Sequence, residues 1–157
     1  MSDLLVKLYA LPESGKACAA LAEKGIEIKR AIGPEKHAVV AWVLANFSKP
    51  WASEADAAFS RTPPAIFVAV KGKAIIGFAC YDTTAKGFFG PIGVDQKVRA
   101  GGLGKALLIR TLEAMREAGY GYAVIGWAGP VDFFKKTVGA TIIEGSEPGV
   151  YKNLIKE

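Results

Sequence analysis

The sequence contains few residues of the types that form disulfides, metal centres and histidine-dependent active sites. Its 157 residues include two cysteines and one histidine, His37. Cys18 and Cys80 match neither a zinc-binding nor a disulfide spacing, so we expect two buried thiols. A Ser-His-Asp triad or a histidine metal site would depend entirely on His37, and a surface side chain at the start of an apparent helix is the simpler interpretation. We therefore expect no metal.

Long apolar runs are also missing. The amino terminus has no basic leader before a long apolar stretch and no small-residue cleavage site, which argues against a secretion signal. Apolar residues make up 51% and charged residues 22% of the chain, a balance typical of one folded globular domain. We expect a cytoplasmic protein in a reducing setting, with no membrane partner.

Acidic residues are fewer than basic ones: 15 Asp and Glu stand against 20 Lys and Arg, a formal net charge of +5. Proteins that bind nucleic acid usually gather such an excess into one patch with aromatic neighbours, whereas here the basic residues are scattered in ones and twos. The pattern predicts no nucleic-acid partner and is compatible with a polyanionic small molecule. A basic nucleic-acid-binding α/β domain would require these side chains to share one face.

Short strands and helices alternate along the chain, with Gly and Pro at most of the joints, which predicts a mixed α/β fold. The clearest unit is a β-hairpin formed by residues 65–70 and 74–81, followed by a third strand at 87–94. Pro91 cannot donate a ladder hydrogen bond and so indicates a bulge or a splayed edge in that third strand. Further strands are predicted at 5–11, 26–32, 122–128, 141–146 and 150–155, and helices at 15–24, from 34 onward, at 52–60, 104–118 and 131–138.

The segment most informative about chemistry is the glycine-rich stretch 98–108, between the third strand and the long helix. Its three glycines allow a sharp turn and bring consecutive N–H groups close to a ligand. The helix that begins there adds unpaired N–H donors and the positive end of its dipole, which together suit a pyrophosphate. Arg99 and Lys105 add full positive charges. A tight strand-to-helix turn without a ligand is the structural alternative.

Two other kinds of glycine-rich loop are excluded by spacing. A Walker loop needs Ser or Thr after its Lys, but Lys105 is followed by Ala106. A dinucleotide-binding fingerprint needs an acidic residue at the end of the following strand, and the strand at 122–128 has none there. The segment therefore predicts neither of these nucleotide sites.

These residues resemble the GNAT superfamily of acyl-CoA-dependent N-acyltransferases. The family's pyrophosphate loop has Arg or Gln, two residues, Gly, one residue, then Gly or Ala, and Arg99, Gly102 and Gly104 stand at those places. The hairpin end IIGFACYD and the strand FFGPIGV are similar to the family's hairpin and bulged strand. The resemblance covers about residues 34–157. Residues 1–33 look like an N-terminal strand-helix extension that leads into the first core strand.

The resemblance implies an α/β (α+β) fold with a mixed, mostly antiparallel sheet, splayed in the middle and flanked by helices on both faces. It implies acetyl-CoA as co-substrate, whose pantetheine arm would pair with the bulged strand at Ile92, Gly93 and Val94. The implied activity is direct transfer of an acetyl group to a primary amine of a small-molecule acceptor. A non-catalytic acyl-CoA-binding module of the same fold is the alternative. The predicted pyrophosphate contacts are Arg99, Ala100, Gly101, Gly102, Leu103, Gly104 and Lys105.

Family members are often homodimers, so the resemblance also implies a homodimer. The apolar N-terminal extension is a candidate for packing or exchange at such an interface.

The chain departs from the family at the expected general acid. Many members use a Tyr in the short helix after the fifth core strand to protonate the CoA thiolate. The matching residue here is Phe134, whose ring has no proton to give, and we expect it to pack in the core. Tyr151 is the favoured replacement, with Tyr81 or water as alternatives. Tyr151 could equally be a half-buried strand aromatic.

Glu54 is the leading candidate for the general base. It lies on the short helix that borders the acceptor cleft in GNAT folds, and burial beside Trp51 would raise its pKa toward a value suited to proton transfer. The structural alternative is a first-turn residue that interacts favourably with the helix dipole. Asp82 and Glu144 are weaker candidates. If Trp51 lines the cleft, a small, partly apolar amine is the more natural acceptor.

Overall fold

The computed structural model describes residues 1–98 and 101–157. Within these residues, seven strands form one sheet in the order β2-β3-β4-β5-β6-β1-β7. The strands are β1 (Leu4–Lys7), β2 (Ile26–Arg30), β3 (Ile66–Lys71), β4 (Ala74–Tyr81), β5 (Phe88–Val94), β6 (Tyr122–Ile125) and β7 (Thr141–Ile142). The α-helices are α1 (Gly15–Glu23), α2 (Lys36–Asn46), α3 (Lys49–Ala58), α4 (Leu103–Glu117) and α5 (Val131–Val138).

The sheet is mostly antiparallel, and only the β5–β6 pair is parallel among the strands described. These two strands pair at just two positions, Phe88 with Val124 and Phe89 with Ile125. Beyond them β5 continues to Val94 and, of the described strands, pairs there with β4 alone. The sheet is therefore splayed in the middle, which confirms the predicted fold class.

A bulge in β5 accompanies this divergence. β5 pairs with β4 through Phe89–Tyr81 and Ile92–Ala79, so that β5 has one more residue than β4 between the two pairs. The extra residue lies beside Pro91, which cannot donate a backbone hydrogen bond to either neighbour. The predicted interruption of the third strand is confirmed.

Helices cover both faces of the sheet. A Cβ atom on Gly77 of β4 would lie 2.8 Å from Leu107 Cδ1 of α4, so Gly77 faces α4. Phe78 is the next residue. Its ring centroid lies 6.2 Å from that of Trp42 in α2 and 6.0 Å from that of Trp51 in α3. Because successive strand residues point to opposite faces, α4 packs on one face and α2 with α3 on the other.

Helix α3 begins earlier than predicted. The sequence predicts a helix over 52–60, whereas α3 spans Lys49–Ala58. The backbone N–H of Trp51 donates to Ser48 Oγ at 3.3 Å, so Ser48 is the N-cap, and Pro50 occupies the first turn, where its missing N–H is not needed. Pro50 therefore belongs to the first turn of α3.

The predicted terminal strand pair is wrong in its second half. Residues 150–155 do not form a strand; Gly149–Tyr151 is one turn of 3-10 helix, and β7 pairs with β1. Positive φ angles of +59° at Gly149 and +61° at Asn153 turn the chain out of an extended path on both sides of Tyr151. The strand predicted at 5–11 likewise ends at Lys7, where Leu8–Ala10 form another 3-10 turn.

The first thirty-three residues contribute two strands to the sheet, β1 between β6 and β7 and β2 at the opposite edge. Leu4 and Val6 of β1 are completely buried. Of the two thiols, Cys80 is buried and Cys18 is only half-buried, which corrects the expectation that both would be buried. His37 is exposed at the start of α2.

The N-terminus of α1 is held by a carboxylate from α4. The Ser14 hydroxyl donates to Glu113 Oε1 at 2.5 Å and the Ser14 backbone N–H donates to Glu113 Oε2 at 3.2 Å, while Ser14 is only 6% exposed. Replacing Glu113 by Ala should lower the free energy of unfolding by about 1–3 kcal/mol, because two nearly buried donors lose their acceptor. Urea unfolding measures this, and exposed Glu117 on the same helix is the matched control, where Ala should change stability by less than about 0.5 kcal/mol. Equal effects at both positions would contradict this role.

Candidate active site

The gap between β5 and β6 is the central feature of the site. Ile92, Gly93 and Val94 pair with β4 on one side and lie beyond the last β6 pair on the other. Since backbone groups along a strand point alternately to its two sides, some N–H and C=O groups of these residues face the gap. A side chain at Gly93 would overlap the ring of Phe47, which packs directly on the backbone there. No strand in the described part of the chain pairs with this edge of β5.

The glycine-rich turn lies at the N-terminus of α4. Gly102 is the N-cap with φ of +87°, and the first helical bond runs from the Ala106 N–H to the Gly102 carbonyl at 2.9 Å. No side chain among the described residues caps this terminus. The N–H groups of Leu103, Gly104 and Lys105 precede that first bond and are therefore available to a ligand.

Side chains leave the described part of this turn open. A Cβ atom on Gly101 or Gly102 would meet nothing within 4 Å, and one on Gly104 would meet only Phe133 Cζ, at 3.8 Å. Lys105 is exposed, while the Leu103 side chain is buried and anchors the helix start. Arg99 and Ala100, both predicted to contact the pyrophosphate, lie outside the described residues.

Glu54 projects from α3 to the turn between β4 and β5. Its Oε1 accepts hydrogen bonds from the hydroxyl of Thr83, at 3.2 Å, and from that of Thr84. Burial raises the pKa of Glu54 above its usual value of 4.5, and the hydrogen bonds from Thr84 and Thr83 oppose that rise. Glu54 is therefore a partly desolvated carboxylate with one oxygen held by hydroxyls.

Tyr151 reaches the same place from the C-terminal 3-10 turn. Its ring stacks on Trp127 with centroids 4.3 Å apart and planes 17° from parallel. Its hydroxyl lies so close to Gly126, the first residue after β6, that a side chain there would overlap it. Burial, with smaller contributions from the charges of Glu54 and Asp3, raises the pKa of Tyr151 to about 12, and a hydrogen bond with Thr84 lowers it.

The structure thus brings Glu54 and Tyr151 together around the Thr84 hydroxyl, where β6 ends beside the gap. Sequence reasoning found both titratable groups but missed the residues that hold them: Thr83, Thr84, Gly126 and Trp127. The only signal for the threonines was their place in a turn, which is common for polar residues. Trp127 has a φ of +46°, and no sequence pattern predicts such a conformation for a residue other than glycine.

The other candidate residues do not join this pair. The Tyr81 hydroxyl accepts from Arg30 Nη1 at 2.6 Å, and both residues line a separate cavity of about 640 Å³. Asp82 accepts from the Tyr120 hydroxyl at 2.8 Å and from the Gly87 N–H at 2.7 Å, which ties down its turn. Glu144 is exposed.

Phe134 is a core residue of α5. It is 2% exposed, and its ring packs against the rings of Phe89 and Phe133. The distances between ring centroids are 6.5 Å and 5.3 Å respectively. The helix that carries a Tyr in many family members therefore supplies only apolar packing at this position.

A groove of about 750 Å³ runs along α3 and past Trp127, and neither Glu54 nor Tyr151 is among the residues that line it. Ser53 and Asp56, which flank Glu54 along α3, line it, as does Trp127, the residue that stacks on Tyr151. Leu44 of α2 and Ile155 of the C-terminal segment add apolar walls.

Residues 1–98 and 101–157 contain no group of three or more His, Cys, Asp and Glu side chains placed to hold a metal ion. None of the helices in these two segments combines the length and the apolar character needed to cross a membrane.

Solved structures with a similar fold include several acetyltransferases. The glucosamine N-acetyltransferase region of a fungal multi-domain GH3 β-N-acetylglucosaminidase superposes with a TM-score of 0.73 at 16% identity, covering 90% of this chain and 19% of that one. A GCN5-related N-acetyltransferase from Sphaerobacter thermophilus gives a TM-score of 0.65 at 19% identity, with 90% and 48% coverage. An aminoglycoside acetyltransferase from an uncultured soil metagenomic sample, solved with sisomicin, gives 0.51 at 19% identity, with 73% and 88% coverage.

This chain therefore spans less than half the length of the first two proteins. At these identities the likeness shows the fold alone. Among curated proteins no sequence matches the chain significantly. The model of the Acetyltransferase (GNAT) family matches residues 36–139, which is more than half of the chain. That match includes the hairpin, the bulged strand, the glycine-rich turn and α4, and the chain accordingly belongs to the GNAT acetyltransferase family.

Proposed function

We propose that this protein is an N-acetyltransferase that transfers the acetyl group of acetyl-CoA to a primary amine of a small molecule by direct attack. The observation that carries the proposal is the meeting of a desolvated carboxylate, Glu54, and a protonated phenol, Tyr151, at the end of β6 beside the open edge of β5. A proton acceptor and a hydrogen-bond donor are the two groups that this transfer requires.

The donor would bind along the gap and the turn. The diphosphate of CoA would accept hydrogen bonds from the N–H groups of Leu103, Gly104 and Lys105, strengthened by the dipole of α4 and the Lys105 charge. The pantetheine arm would pair with the free backbone groups of Ile92, Gly93 and Val94. Arg99 and Ala100 remain predicted members of this site from the loop spacing. No metal takes part in the proposed reaction.

Glu54 would remove the proton that the amine nitrogen must lose. As the amine attacks the thioester carbonyl, its nitrogen becomes positively charged, and loss of its proton prevents reversal of the attack. Partial burial raises the pKa of Glu54, which makes its carboxylate a better proton acceptor than a fully exposed one. Thr83 and Thr84 donate to Oε1, and among residues 1–98 and 101–157 no donor holds Oε2, which would face the substrate.

Tyr151 would stabilise the leaving sulfur. A pKa of about 12 keeps its hydroxyl protonated at neutral pH, so that it can donate a hydrogen bond to the developing thiolate. The charge of Glu54 helps to raise that pKa. When Glu54 takes the amine proton this charge disappears, and the phenol becomes a stronger donor as the sulfur leaves. Glu54 then releases this proton to water and the thiolate takes up a proton from water, so the net reaction moves one proton from nitrogen to sulfur and restores both side chains.

The acceptor would enter through the groove lined by Trp127, Ser53 and Asp56. Apolar walls beside polar α3 side chains suit a small, partly apolar amine. Two of the structural neighbours are described as a glucosamine N-acetyltransferase region and an aminoglycoside acetyltransferase; the acceptor class of this chain is proposed from its own groove.

Two measurements test the proposal. Acetyl-CoA at about 100 times its dissociation constant should stabilise the fold by about 2.7 kcal/mol, whereas acetylated pantetheine, which lacks the diphosphate, should have a much smaller effect. A panel of small primary amines should then release CoA thiol. Binding without release from any amine would support the non-catalytic acyl-CoA-binding module, and absence of acetyl-CoA binding would overturn both interpretations.

A further inference from the structure

Asp3, just ahead of β1, is a nearly buried carboxylate that the proposed reaction does not use. It is 5% exposed, and its Oδ1 accepts the backbone N–H of Trp127 at 2.9 Å. Its own backbone is fixed as well: the Asp3 N–H donates to Ser146 Oγ at 2.9 Å and its carbonyl accepts the Ile143 N–H at 2.9 Å. The carboxylate is therefore held in one position.

The second oxygen of this carboxylate lies at the start of the turn that carries Tyr151. A Cβ atom on Gly149 would lie 3.4 Å from Asp3 Oδ2, and Gly149 begins the 3-10 turn that ends at Tyr151. The Asp3 side chain thus contacts two backbone segments: that of Trp127 and that of the turn that leads into Tyr151. These two rings form the stacked pair at the active site.

Trp127 needs such support because its backbone is strained. Its φ of +46° lies in the left-handed region, which costs a residue with a side chain about 1–2 kcal/mol. A conformation of this kind persists only where neighbouring contacts hold it. In the described residues, Oδ1 of Asp3 accepts the N–H of Trp127, and the next N–H, that of Ala128, donates to the Ser2 carbonyl at 3.2 Å.

From this juxtaposition we infer that Asp3 is a positioning residue for Tyr151: its carboxylate holds Trp127 in the conformation that stacks on the Tyr151 ring and sets the phenol against Gly126. The inference rests on the proposed function for the role of Tyr151 and extends it to the first strand. Asp3 touches no substrate in this scheme; it acts on Tyr151 through Trp127 and the Gly149 turn, and its charge also raises the pKa of the phenol.

The charges around Tyr151 allow this role to be distinguished from general structural support. Glu54 from α3 and Asp3 ahead of β1 are the acidic groups that act on the phenol, and Thr84 lies within hydrogen-bonding reach. Replacing Asp3 by Asn keeps an oxygen acceptor for Trp127 but removes the charge. The pKa of Tyr151 should then fall from about 12, because a negative charge that opposed its ionisation is gone.

The first experiment does not depend on activity. Tyrosine labelled with 13C at Cζ is titrated by NMR in the full chain, with Tyr151 assigned from the Tyr151→Phe spectrum. Asp3→Asn should lower the pKa of Tyr151, and Asp3→Ala should also weaken the contacts between the Trp127 and Tyr151 rings. Exposed Asp132→Asn is the control and should change neither. Unchanged ring contacts in Asp3→Ala would overturn the inference, because a lower Tyr151 pKa would then reflect only the loss of a nearby charge.

The second experiment measures kinetics. Asp3→Ala should lower kcat about tenfold, the equivalent of one lost hydrogen bond, with little change in the KM for acetyl-CoA. In a Tyr151→Phe background the same substitution should have almost no further effect on kcat, because its partner is already gone. A full tenfold loss in that background would assign Asp3 a purely structural role. If the wild-type protein transfers no acetyl group, the proposed function fails, while the NMR result still decides the role of Asp3.

Discussion

Replacement of Glu54 by Gln is expected to lower the rate of acetyl transfer by about 10²–10⁴-fold, the contribution typical of a general base. Gln can accept hydrogen bonds from Thr83 and Thr84, as Glu54 does, so the local structure should persist. It cannot accept the amine proton. Calorimetry with acetyl-CoA should give a nearly unchanged dissociation constant, because the donor binds along β5 and the start of α4.

The pH dependence offers a second measurement of the same role. The amine must be neutral and Glu54 ionised, so activity should fall as pH decreases through the raised pKa of Glu54. In Glu54→Gln the residual activity should no longer show the fall at low pH that is caused by protonation of Glu54. Glu23→Gln is the matched control, since Glu23 is exposed on α1 and does not line the groove. Full activity in Glu54→Gln would remove Glu54 from the mechanism.

The second large effect is expected at the glycine-rich turn. Gly102→Val should weaken acetyl-CoA binding by about 100-fold, because a β-branched side chain cannot adopt the φ of +87° without distorting the helix start. A shifted helix start misdirects at least two N–H donors, and each hydrogen bond to a charged group contributes about 1.5 kcal/mol or more. Combining this substitution with Arg99→Ala should abolish binding. Isothermal titration calorimetry measures both.

Gly25→Val separates the effect on binding from the effect on stability. Gly25 follows α1 with a φ of +78°, and a side chain there would also meet nothing within 4 Å. The two variants should therefore lose similar free energies of unfolding through the same backbone strain, while only Gly102→Val loses acetyl-CoA. An unchanged dissociation constant in Gly102→Val would exclude this turn as the diphosphate site.

Several elements could be predicted because their signals are local. Two apolar strands around a short turn specify the hairpin of β3 and β4, whatever surrounds them. Pro91 interrupts β5 because it lacks an N–H, which is a property of the residue itself. The glycine turn before α4 depends on φ angles that only glycine adopts freely, and Gly102 has such an angle.

Predictions failed where long-range packing decided the structure. Four of the six residues 150–155 are apolar or aromatic, as in a short strand, yet positive φ angles at Gly149 and Asn153 turn the chain, and the edge beside β1 is occupied by β7. The start of α3 was misplaced because Ser48 and Ser53 are both good N-cap residues by type, and only the folded chain shows which one accepts a hydrogen bond.

By itself the sequence determined the family, the order of the central strands and helices, and a short set of candidate groups, because each depends on residue type and near neighbours. Tertiary structure alone decided which candidates meet. Glu54 and Tyr151 come together only because α3, the turn after β4 and the C-terminal segment converge where β6 ends. Burial and the distance between charges then set their pKa values, and both arise from segments far apart in the chain.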